Sequence, residues 1–107
     1  MTTFAETLQA LPPVDDIDAL ELYLDVTAEP IAVIENRPGK AGSVAVYHAL
    51  VEEFGVIDSD AAHKGLELYA EHVADAEANP GKHPNIDRLV EVIDKDIALS
   101  VDVVYKR

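Results

Sequence analysis

Cysteine is absent from this sequence. That excludes disulfide staples, thiolate nucleophiles and cysteine-ligated zinc, and it fits a reducing compartment. No apolar run approaches the ~20 residues that a membrane-spanning helix needs. The opening stretch, MTTFAETLQALPP, lacks the basic start and apolar middle of a secretion signal. A cytoplasmic location is therefore the expectation. Positive charge is also scarce: eight Lys and Arg face 21 Asp and Glu, a formal net charge of -13. Nucleic acids and anionic membranes are gripped by clustered Lys and Arg, so the charge balance speaks against both as partners. The acidic surplus itself has two readings. It keeps a soluble protein apart by self-repulsion, or it forms a face that docks a basic protein or imitates a nucleic-acid backbone.

What is present is the composition of one small domain, residues 1–107, with a modest core: 49% of the residues are apolar. The charge is uneven. Residues 1–63 hold twelve acids and only two bases, Arg37 and Lys40, while residues 64–107 hold nine acids and six bases. Both early bases flank a Pro-Gly pair in NRPGKAGS (36–43), and Pro-Gly-Lys recurs in NPGKHPN (79–85).

Local patterns give the element order. Thr3 and Glu6 form a capping box at the start of a helix that Pro12 and Pro13 stop. In ALELYLDV (19–26), Leu20, Leu22, Leu24 and Val26 alternate with Glu21, Tyr23 and Asp25, which predicts a half-buried strand. TAEP turns the chain into IAVIEN (31–36), making a hairpin with a four-residue connection. Leu99, Val101, Val103 and Tyr105 alternate with Ser100, Asp102 and Val104 in a third strand, which joins the hairpin because two strands alone are marginal in water. Three helical stripes lie between: Tyr47, Leu50, Val51 and Phe54; Leu66, Tyr69, Ala70 and Val73 within a helix over 59–78; Ile86, Leu89, Val90 and Ile93. Ser43, Ser59 or Asp58, and Asn85 are the expected N-caps, and Gly55 the expected stop. The predicted fold is α+β, a three-stranded, mostly antiparallel sheet packed against about four helices in the order α-β-β-α-α-α-β.

Each Pro-Gly-Lys predicts a type II turn, Arg37 to Lys40 and Asn79 to Lys82, with proline presetting φ and glycine supplying a positive φ. As plain reversals these turns leave their lysines in solvent. The first also makes a candidate anion site. A helix start carries partial positive charge, Arg37 and Lys40 flank it, Gly39 shapes the turn, Gly42 permits close approach to the backbone, and Ser43 and His48 follow. The spacing is not that of a Walker A loop.

No other chemistry assembles from spacing. The pairs His48 and Glu52, and His72 and Asp75, and the series His63, Glu67 and Glu71, match ordinary helix-surface neighbours as well as they match metal ligands. No His-Glu-x-x-His motif is present, and no metal or cofactor is expected. Ser43, Ser59 and Ser100 are better explained as caps and a strand residue than as nucleophiles, and no nucleophile elbow or catalytic triad is formed, so no catalytic residue is assigned.

The segments ENRPGKAGSVAVYHAL and PGKHPNIDRL resemble a family of small conserved bacterial cytosolic proteins of unassigned function, over most of the chain. The resemblance implies a bacterial single-domain protein and transfers no catalytic or binding residue. The sequence thus favours a non-enzymatic acidic protein that binds a basic protein partner through the acidic half around the hairpin. The alternative is a small-ligand or anion-binding protein, possibly an enzyme, using Arg37, Gly39, Lys40, Gly42, Ser43 and His48. A third reading is a metal site on the helix over 59–78.

Overall fold

The computed structural model describes residues 3–24 and 29–107. Its elements run α1 (Phe4–Ala10), β1 (Ile17–Leu24), β2 (Ala32–Glu35), α2 (Ala41–Phe54), α3 (Ser59–Tyr69), α4 (His72–Ala78), α5 (Pro84–Lys95) and β3 (Leu99–Tyr105). The strands form an antiparallel sheet in the order β2-β1-β3, so the α+β architecture is as the sequence predicts.

Strand alternation decides which side of the sheet the helices cover. Leu20 and Leu22 are fully buried, flanked by Val103 and Val101 on one side and by Ile34 and Ala32 on the other. One irregularity modifies the pattern. Between Ile17 and Ala19, β1 advances two residues while β3 advances one, from Tyr105 to Val104. This bulge lets Ile17 and Leu20 both reach the core although they stand an odd three positions apart. Tyr105, expected on the inward face with Leu99, ends its strand 57% exposed. The expected inward Val26 and the first half of the TAEP connection fall in residues 25–28, outside the described residues.

The helix stripes are rotated from their predicted centres. On α5 the buried residues are Ile86, Leu89 and Val92, while Val90 is 38% exposed. On α3 the inward stripe is Ala61, Ala62, Gly65 and Tyr69 rather than one led by Leu66. Gly65 explains the shift. A Cβ there would lie 2.7 Å from a Leu89 methyl and 2.9 Å from a Leu50 methyl, so only glycine lets α3 lie this close to α2 and α5.

The single helix expected over 59–78 is two helices. Ala70 has φ 54 and ψ -122, which no α-helix accommodates, so α3 ends at Tyr69 and α4 starts at His72. The capping box at Thr3 and Glu6 forms in both directions, Asp58 caps α3 by accepting from the Ala61 N–H, and Gly55 ends α2 with φ 82. Ser43 and Asn85 are not caps. Helix α2 begins two residues before Ser43, and α5 begins at Pro84, whose fixed φ and missing N–H suit the first helical position.

Candidate functional site

Both Pro-Gly-Lys turns close as the sequence predicts. Lys40 N–H donates to the Arg37 carbonyl at 2.9 Å and Lys82 N–H to the Asn79 carbonyl at 3.1 Å. Gly39 and Gly81 hold φ values of 86 and 89, the left-handed conformation this turn requires at its third position.

The two turns meet at one cleft. Two adjoining hollows of about 300 and 220 Å³ share Gly39, Ser43, Tyr69 and His83 as a common wall. The first is completed by Phe4, Gly42 and His72, among others, and the second by Lys40, Lys82 and Asn85. Convergence follows from α3, which packs against both α2 and α5, and from a side-chain link between those two helices. The Tyr47 hydroxyl donates to the Asn85 carbonyl at 2.6 Å and accepts from Arg88 at 3.3 Å, while Arg88 also donates to the Asn85 side-chain oxygen at 2.7 Å. This latch pins the start of α5 to the second turn of α2. Burial pushes the Tyr47 hydroxyl up to about 12, so it stays protonated and serves as donor.

At the centre of the cleft the Tyr69 hydroxyl donates to Ser43 Oγ at 2.7 Å. Burial raises Tyr69 far above the usual tyrosine range, which keeps it a donor. Because Ser43 accepts that proton's bond, its own hydroxyl hydrogen remains for another acceptor. Ring packing builds one wall: Phe4 stacks on Tyr69 at 5.4 Å and meets His72 edge-on at 4.9 Å, and His72 lies 5.6 Å from His83.

Charge in the cleft is organised around Asp75. Its carboxylate meets His83 Nε2 at 2.6 Å, Lys82 Nζ at 3.0 Å and the Asn79 side-chain amide at 2.9 Å. The hydrogen bonds from His83 and Lys82 hold its pKa down at about 2. Lys40, by contrast, has no ion-pair partner among the described residues.

The residues singled out from the sequence divide accordingly. Gly39, Lys40, Gly42 and Ser43 line the cleft, while Arg37 and His48 do not. Arg37 pairs with Glu35 at 2.8 Å on the surface. His48 lies along α2 beside Glu52 at 3.3 Å, its Nδ1 buried without a hydrogen-bond partner among the described residues. Gly42 admits a close approach, but the approaching group is Phe4, whose ring would lie 3.0 Å from a Cβ at that position. Most of the first amides of α2 are engaged as well: Ala41 N–H donates to the Arg37 carbonyl, and Ser43 and Val44 N–H donate to that of Lys40. The cationic character of the cleft therefore comes from side chains more than from the helix end. Among the described residues no group of three His, Asp or Glu converges as a metal-ligand set.

Sequence reasoning left Tyr69, Lys82 and His83 out of the candidate site and weighed Asp75 only as a neighbour of His72. The repeated Pro-Gly-Lys was the signal for Lys82 and His83. Tyr69 carried none and Asp75 a misleading one, because helical spacing placed both in one continuous helix that the structure breaks.

The family described as "Uncharacterized protein conserved in bacteria (DUF2322)" matches residues 4–103, and the chain belongs to it. No curated protein and no solved structure matches the chain. No helix among the described residues is long and apolar enough to cross a membrane.

Proposed function

We propose that this protein binds a small anionic ligand, a phosphate- or carboxylate-bearing metabolite, in the cleft between its two Pro-Gly-Lys turns. The observation that carries this reading is the meeting of Gly39, Lys40 and Ser43 with Lys82 and His83 around one hollow. Lys40 offers a charge that no ion pair among the described residues engages, Ser43 a hydroxyl hydrogen not used in its bond from Tyr69, and His83 a ring fixed by Asp75. On a chain of formal charge -13, such a corner is a local attraction inside a repulsive field, which favours small anions that enter it over extended polyanions. The setting we propose is the bacterial cytoplasm, which cell fractionation checks.

The test is a titration of inorganic phosphate, and separately of a small dicarboxylate, followed by backbone amide shifts. Shifts are expected at residues 39–46 and 81–86. In Lys40→Ala the affinity should fall about tenfold, the worth of one charge-assisted hydrogen bond. Unmoved amides in that region at millimolar anion would remove the reading.

A second reading rests on the acids around the central strand. Asp15, Asp16, Asp18 and Glu21 lead into and along β1, and none is in an ion pair among the described residues. In this reading a basic protein segment docks there. A polylysine peptide should then bind with an affinity that drops steeply as salt is raised and that weakens in Glu21→Gln. Binding that is absent, or indifferent to both changes, would exclude it.

A further inference from the structure

We propose that β3 is an edge through which two copies of this chain join their sheets, antiparallel and about a two-fold axis at Val104. The inference is independent of the cleft.

The backbone sets out the opportunity. In an antiparallel ladder, alternate residues direct their peptide groups to opposite flanks. Ser100, Asp102 and Val104 lie opposite Tyr23, Glu21 and Ala19, and Lys106 N–H donates to the Asp16 carbonyl at 2.9 Å. Leu99 turns the other way: it exchanges both of its backbone bonds with Ile57, each at 2.9 Å. The even-numbered residues thus bond to β1, and the odd-numbered residues present their peptide groups outward. Ile57 covers only Leu99, which leaves the outward N–H and C=O groups of Val101, Val103 and Tyr105 without a backbone partner among the described residues. A seven-residue edge without proline, carrying valines and an exposed tyrosine, is a template for another strand.

The side chains select a second copy as that strand, because the edge is complementary to itself. Asp102 stands directly opposite Glu21 across the β1–β3 ladder, a like-charge pair that costs stability. A cation on the other flank of Asp102 relieves that cost. With the axis at Val104, Asp102 faces Lys106 of the second copy, Lys106 faces its Asp102, and Val104 faces Val104. The charge pairs then fall at positions that are not hydrogen-bonded, where opposed side chains approach most closely. Val103 meets Tyr105 across the new ladder. Moving the axis to Val103 sets Asp102 against Val104, and moving it to Tyr105 sets Lys106 against Val104, so either shift loses both charge pairs.

Sedimentation equilibrium on the full chain over a concentration series tests this. The wild type should show a monomer–dimer equilibrium. In Val103→Pro the only N–H lost is one that points outward, so the circular dichroism spectrum should be kept while the dimer dissociation constant rises at least about tenfold. Asp102→Lys and Lys106→Asp should each weaken the dimer about tenfold, and the double variant should restore it. Should Val103→Pro fail to fold, the charge-swap set decides alone. A monomer at every concentration, a dimer indifferent to Val103→Pro, or a double variant that does not recover would each overturn the proposal.

Discussion

Asp75 gathers the local electrostatics of the cleft, and its protonation has a consequence that can be read in solution. Its carboxyl titrates near 3.8 ordinarily and at about 2 in the folded protein, because His83 and Lys82 bond to the charged form. A depressed carboxyl pKa stabilises the fold above the unfolded value and loses that contribution as the pH falls through the folded value. Asp75→Asn should therefore lower the melting temperature at pH 7, and the gap to wild type should close as the pH falls from about 4 to about 2. Thermal melts at three pH values check this; a gap that persists at pH 2 would assign the effect to lost packing. The sequence paired Asp75 with His72, three residues back, by helical spacing. The structure pairs it with Lys82 and His83 across the second Pro-Gly-Lys turn, a closure that no periodicity displays. Glu71 behaves likewise: grouped by spacing with His63 and Glu67, it instead accepts the Phe4 N–H at 2.8 Å, a bond that also lowers its pKa.

Elements were legible wherever a local signal existed. The capping box at Thr3 and Glu6, the glycine at the end of α2, the two type II turns and the inward Leu20 and Leu22 all follow from short-range rules, and the structure carries each of them. The break at Ala70 had no such signal. Neither glycine nor proline marks it, and the apolar spacing of Leu66, Tyr69 and Val73 runs through it. The backbone there is strained for an alanine, since φ is 54 with ψ at -122. Ala70→Gly should relieve that strain and, after the entropy that glycine adds to the unfolded chain, stabilise by about 1 kcal/mol. The melting temperature would rise by about 4 °C or more. Ala70→Val should move it the other way. A loss of stability in the glycine variant would mean that the break is held without strain. Helix faces were predicted less well than helix positions, because an inward stripe of Ala61, Ala62 and Gly65 is set by how near α2 and α5 come, which hydrophobicity alone does not encode.

At the scale of the whole molecule, composition announced an acidic exterior with a lone basic corner, but where that corner would lie depended on tertiary packing. Arg37 pairs with Glu35 and His48 lies elsewhere along α2, so two of the six anticipated residues leave the arrangement. In their place the fold imports Lys82 and His83, some forty residues downstream, through the contact of Tyr47 with Asn85. The open face of the sheet repeats the theme, for Glu21 and Asp102 become neighbours only when β1 and β3 pair. One contact described above reaches further. Phe4 lies over Gly42 and stacks on Tyr69, so the N-terminal helix is itself a wall of the cleft. In the proposed binding role, occupancy of the hollow and seating of that helix form a single linked equilibrium: an anion held inside would clamp α1, and where release requires α1 to lift, the lifting rate would set a floor on residence time.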